Sequence, residues 1–156
     1  MFIRLSIIGG LIYVQTFLPE ASYEASAAAL DTKRLGKQRV EALQIEHVLI
    51  GLSTGWANHP AVRMWEGYLP ALRMYKRACI LEWVKRGFVN NMEIPSIQFA
   101  PRPWWYKDPL IDIHQGVLIY KNPSHYQPMW PKQLSGAMNI WPNNQSITYR
   151  YTPFTR

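Results

Sequence analysis

The segment Arg34-Leu35-Gly36-Lys37-Gln38-Arg39-Val40-Glu41 sets four cationic or amide side chains around a single carboxylate. At about 100° per residue, Arg34, Lys37, Gln38 and Glu41 fall within roughly a third of a helix circumference. Leu35, Ala42, Leu43, Leu49 and Ile50 cluster on another side, where they can pack into a core. A lone carboxylate among cations suits a protein that grips phosphates and also moves protons. The same pattern describes a solvated face with charges paired one turn apart, so spacing alone leaves both readings open.

The elements that would position this cluster follow from turn chemistry. Residues 22–30 are Ala-rich behind Ser22 and form a short helix; Asp31-Thr32 caps the next, which carries the basic cluster to about residue 52. Gly51, Ser53, Thr54 and Gly55 break it. Asn58-His59-Pro60 starts another helical stretch, which Gly67 and Pro70 split. Leu72, Tyr75, Cys79 and Trp83 then recur at helical spacing until Gly87, after Lys85-Arg86, stops the helix. Residues 88–108 are Pro-rich without periodicity and read as an irregular, ordered loop. Asp108-Pro109 restarts a helix to about Lys121, and Asn122-Pro123 starts a short one ending near Pro128. The tail reads as extended coil, with strand-like alternation only at 145–151. The class is all-α: a single compact helical domain with a Pro- and aromatic-rich loop, a C-terminal coil and no internal repeat.

Length and composition narrow the partners. A chain of 156 residues is one domain, long enough to bury a core without staples. Its net charge of +7 and pI near 9.7, with only 17% charged residues, favour a polyanion, nucleic acid before an anionic membrane. Seven Trp and 13% aromatics add rings that stack on exposed bases or fill a core. The single cysteine, Cys79, excludes an internal disulfide, reads as a small core residue and fits a reducing cytosol. No Cys/His cluster has zinc spacing, and four scattered histidines do not make a metal site.

Residues 1–14 (MFIRLSIIGGLIYV) hold an apolar run interrupted by Gly9-Gly10, too short to span a bilayer. The run weakly resembles a signal h-region, but no small-residue cleavage site follows it. A third reading is favoured: Val14 is encoded by GTG, a common bacterial start codon, and translation begins there.

Three groups of residues carry a family resemblance. They are Gln15-Thr16-Phe17-Leu18-Pro19; Leu30-Asp31 with the Arg34 to Glu41 segment; and His59-Pro60-Ala61-Val62-Arg63-Met64-Trp65 with Gly67-Tyr68. Together with Lys85-Arg86-Gly87-Phe88 and His114 of the late helix, they resemble the pyrimidine dimer DNA glycosylase family. The resemblance covers about residues 14–131, leaving 1–13 as an extension of doubtful origin and 132–156 as a tail. It implies a helical fold that binds and kinks UV-damaged double-stranded DNA. An N-terminal α-amine attacks C1′ of the 5′ pyrimidine of a dimer, a Schiff base forms, and β-elimination cuts the strand. A helix glutamate among arginines serves as acid–base group, without metal or cofactor. The chain would act as a monomer with no obligatory protein partner and no membrane. Its location would be cytoplasmic, in the host cytosol or nucleoid if phage-encoded.

Carried over by position, the resemblance puts the amine at Val14 or Gln15 and makes Glu41 the acid–base candidate, with Glu20 and Glu24 as alternatives. An α-amine ionises near pH 7.7–8.0 against about 10.4 for lysine, so a usable fraction is nucleophilic in neutral water. Arg34, Lys37, Gln38, Arg39, Arg63 and Lys85 are candidate DNA contacts. His59 contacts DNA or caps a helix; Trp65 and Tyr68 read as core. Trp104-Trp105-Tyr106, flanked by Arg102 and Lys107, is the candidate lesion contact, or packs over the helices. A non-catalytic DNA-binding module, a glycosylase for another base lesion and a membrane-tethered protein are the competing readings.

Overall fold

Caps and prolines set most boundaries of this chain. The computed structural model describes residues 14–151 apart from Trp56, Gln98 and Asn144, together with two short paired strands, β1 (Ile7–Ile8) and β2 (Leu11–Ile12). The rest of the 1–13 extension and residues 152–156 lie outside the described residues. The Ser22 side chain accepts from Ala25 N–H at 3.0 Å and opens α1 (Tyr23–Ala29). Asp31 stands at the N-cap of α2 (Thr32–Leu49). His59 Nδ1 accepts from Ala61 N–H and Pro60 fills the first turn of α3 (Pro60–Trp65). Gly67, at φ 82°, then turns the chain into α4 (Leu69–Lys85), a conformation that costs glycine nothing sterically. Pro109 sits in the first turn of α5 (Asp108–Lys121), and Asn122 caps α6 (Pro123–Tyr126).

Helices α2 and α4 pack along one another, and α1 lies on α4. Leu35, Ala42 and Ile45 from α2 meet Leu72, Tyr75 and Cys79 from α4 in the core, with Trp65 fully buried beside them. Ile50, expected inside, is 43% exposed because α2 ends one residue before it. Gly36 permits the close approach of the two helices: a Cβ there would lie 3.0 Å from the Trp83 ring. The fold is mostly helical, as expected. The tail adds a hairpin of β3 (Met138–Pro142) and β4 (Ile147–Tyr151), with Met138 opposite Tyr151 and Pro142 opposite Ile147. The second strand matches the expected alternation; the first was not foreseen. β3 rests on α5 and α3, and its Ile140 joins the core.

Residues 14–19 are extended and almost wholly buried without joining a sheet, so side chains must satisfy their backbone. Gln38 does most of this: its Oε1 accepts from Phe17 N–H at 2.9 Å and its Nε2 donates to Gln15 C=O at 2.6 Å. The Tyr75 hydroxyl lies 2.8 Å from Phe17 C=O and 2.5 Å from Gln38 Oε1. On the other flank, His114 Nδ1 accepts from Leu18 N–H at 2.9 Å, and the Gln115 amide donates to Pro19 C=O at 2.8 Å. Trp65 Nε1 donates to Thr16 Oγ1 at 3.0 Å. Three helices and α3 thus hold one short segment in a fixed register.

Candidate functional site

The segment passes directly beside Glu41. Gln38 Nε2 links the two, donating to Gln15 C=O at 2.6 Å and to Glu41 Oε2 at 2.8 Å. Burial pushes the Glu41 carboxyl up to about 8, and the Gln15 backbone, Lys37 and Lys121 offset this only in part. The carboxyl is therefore poised to give or take a proton near neutrality. Gln15 Nε2 is buried with no hydrogen-bond partner among the described residues. Such an orphan donor costs about 1–3 kcal/mol.

Two cations, Lys37 and Lys121, act on this carboxyl through the field. Arg34 pairs with Asp31 at 3.2 Å, and Asp31 also accepts from the Tyr126 hydroxyl. Burial raises the Asp31 carboxyl, but Tyr126 and Arg34 together bring it below its ordinary value. Lys37 is exposed on the same face. Lys121, at the end of α5, is half-buried against the cluster: burial, Arg34 and Lys37 bring its amine down to about 8, with Glu41 acting in the opposite sense. Lys121 escaped the sequence reading because a basic residue in a last helical turn has a sufficient explanation in the helix dipole. His114 behind the segment is fully buried and pushed down to about 3, which keeps it neutral and free to accept from Leu18.

The remaining candidates separate. Gln38, expected at DNA, is 1% exposed and spends its amide on the 14–19 segment and Glu41. Arg39 points away to α4, its guanidinium 4.1 Å from the centre of the Trp83 ring. Trp105 is buried at 1%, its Nε1 donating to Met64 C=O, so it supplies core rather than a stacking surface. Trp104 is 38% exposed, with Lys107 5.6 Å above its ring. His59 caps α3 and meets Trp141 edge-on. Arg63 is exposed on α3. Lys85 lines a shallow pocket with Glu24 and Arg77 on the α1–α4 surface, apart from Glu41. Glu20 accepts from Trp130 Nε1 at 2.9 Å, and Glu24 is exposed on α1. Trp65 is core, and Tyr68 is partly buried against it.

Among the described residues no three His, Cys, Asp or Glu side chains gather as a metal site, and no helix is long and apolar enough to cross a membrane. A family model described as pyrimidine dimer DNA glycosylase matches residues 14–96, more than half of the chain. Comparisons with curated proteins and with solved structures gave no match.

Proposed function

The chain belongs to the pyrimidine dimer DNA glycosylase family, and from that premise we propose that it excises the 5′ base of UV-induced dimers through a Schiff base and nicks the strand by β-elimination. The observation that carries this reading is the hydrogen bond from Gln38 Nε2 to Gln15 C=O, at 2.6 Å, made by the same amide that donates to Glu41 Oε2 at 2.8 Å. In a chain that begins at position 14, the α-amine lies one residue from that bond. The amine attacks C1′, the C1′–N bond to the base breaks, and an imine remains. Glu41 supplies protons to the departing groups and then, ionised, removes one from C2′; the 3′ phosphate leaves with the C3′–O3′ bonding pair. The raised pKa of Glu41 suits both duties, because donor and acceptor forms coexist near pH 8.

The DNA face in this reading comprises Arg34, Lys37 and Arg63, with Trp104 and Lys107 as the exposed ring and cation nearest to a lesion contact. Gln38 works from inside, aligning Gln15 and Glu41. The test compares the full chain with one that starts at position 14, on duplex DNA carrying a single cyclobutane dimer, with and without borohydride. Cleavage together with a borohydride-trapped protein–DNA adduct is expected from the shorter chain. Cleavage with no adduct rejects the Schiff base, and binding without cleavage supports a DNA-binding module instead. Cutting confined to a different base lesion would reassign the substrate.

A further inference from the structure

We propose that Gln38 makes Glu41 a one-sided acid–base group, its amide holding Oε2 as a fixed acceptor so that the proton is carried and exchanged at Oε1. The proposal rests on Glu41 being the proton-transfer group, and it names the atom that transfers the proton and the residue that selects it. An amide side chain offers two lone pairs and two N–H groups, and those of Gln38 are all engaged. Its Oε1 receives Phe17 N–H at 2.9 Å and lies 2.5 Å from the Tyr75 hydroxyl, whose proton is shared with Phe17 C=O. Its Nε2 donates to Gln15 C=O at 2.6 Å and to Glu41 Oε2 at 2.8 Å. Turning the amide over would set Nε2 against Phe17 N–H and Oε1 against the Gln15 carbonyl, at a residue only 1% exposed. The backbone of residues 15 and 17 therefore fixes which end of the amide meets Glu41.

A fixed donor has a consequence for the acid. With Glu41 ionised, the bond from Nε2 to Oε2 is charge-assisted and favours that form. With Glu41 neutral, the oxygen that faces an N–H serves as the carbonyl acceptor, which leaves the O–H on Oε1. Donation breaks the O–H bond at Oε1 and passes the proton to a departing group; abstraction from C2′ forms that bond again. Neither step disturbs the bond from Nε2 to Oε2. Gln38 is buried away from substrate and acts through Glu41, which makes it a positioning residue. The other groups acting on the carboxyl are the Gln15 backbone, Lys37 of α2 and Lys121 of α5, with Tyr75 of α4 kept protonated by burial.

The test titrates the full chain by NMR, with glutamine amides and glutamate carboxyls isotope-labelled. The Gln38 amide signal, identified by its loss in Gln38→Met, should shift in step with the Glu41 carboxyl and cease to shift in Glu41→Gln. Gln38→Met removes the donor at similar length, so the Glu41 midpoint should rise by about one pH unit. An amide signal indifferent to the titration, or a midpoint that stays or falls in Gln38→Met, overturns the proposal. Should Gln38→Met fail to fold, neutron diffraction from the unmodified chain below the Glu41 midpoint decides: a deuteron on Oε1 is expected, and one on Oε2 overturns the proposal. The pH dependence of dimer cleavage should move upward with the Glu41 midpoint. A cleavage profile that stays in place while the midpoint moves rejects Glu41 as the proton-transfer group, and leaves the hold of Gln38 on Oε2 standing.

Discussion

Glu41 and Glu46 lie about one and a half turns apart on α2, and their surroundings drive them in opposite directions. Glu46 faces α4, where Lys76 and Arg73 each take one of its oxygens; burial alone would raise its carboxyl, but these partners bring it below the ordinary value. Glu41 faces the 14–19 segment and α5. It has an amide, a backbone group and two cations at longer range, and burial wins, lifting it to about 8. Direct ion pairing makes one carboxylate a joint between helices. Its absence leaves the other able to change protonation state, which is what proton transfer requires.

The largest expected effect tests the joint. Glu46→Ala leaves the buried Lys76 ammonium without a counter-charge and should cost about 3–5 kcal/mol in urea unfolding. A loss below about 1 kcal/mol would mean that the pair does not hold α2 to α4. Next comes catalysis. Glu41→Gln removes the titrating proton at nearly constant size, so cleavage of dimer-containing duplex should fall roughly 100-fold or more while binding persists. Glu46→Gln, assayed under conditions where it is folded, should cut at near the unmodified rate; equal loss in both variants would erase the contrast.

A smaller effect appears in stability against pH. Because the folded pKa of Glu41 lies above its ordinary 4.5, its contribution is fully present below about 4.5 and is lost as pH rises through 8. The charged groups facing it are Lys37 from its own helix and Lys121 from α5. Glu46 runs the other way, stabilising above its ordinary value and losing that contribution as pH falls. The unfolding free energy of the native protein, from urea titrations, should therefore drop relative to Glu41→Gln between pH 5 and pH 8.5, by about 1–2 kcal/mol after allowance for partial solvent access. A constant difference would show that Glu41 does not titrate in this range. The smallest change concerns the exposed cations. Lys37→Gln should weaken damaged and undamaged DNA alike and flatten the salt dependence of binding by about one unit. An unchanged slope would take α2 out of the DNA face.

Much of the helical frame was legible because its signals are local. Ser22, Pro60, Gly87, Pro109 and Asn122 each act within a turn of their own position, and the helices begin or end beside them. The hairpin was half legible: Ile147–Tyr151 alternates, whereas Asn139 and Ile140 of β3 are adjacent and both buried, which breaks a period of two. The candidate site divides in the same way. The face joining Arg34, Lys37 and Glu41 follows from about 100° per residue, and the same angle turns Arg39 toward Trp83. The burial of Gln38 was not legible, because its partners are backbone groups more than twenty residues earlier. The electrostatic effect of Lys121 on Glu41 depends on how α5 docks, and no local pattern encodes that.

The grip of α5 on the 14–19 segment also bears on how portable this domain is. The family-matched span, 14–96, ends before α5 begins. Severed there, it would lose the imidazole that receives Leu18 N–H and the amide that holds Pro19 C=O. α5 is anchored in turn from its far flank. Gly116 C=O accepts from Gly136 N–H at 3.1 Å, and a Cβ at 116 would come within 2.8 Å of Leu134 C=O. A chimera that transplanted only the matched span into another helical protein would carry the glutamate without the brace that sets its distance from residue 15. A span cut before Gly136 would also lose the hydrogen bond by which Gly136 N–H holds α5 at Gly116 C=O.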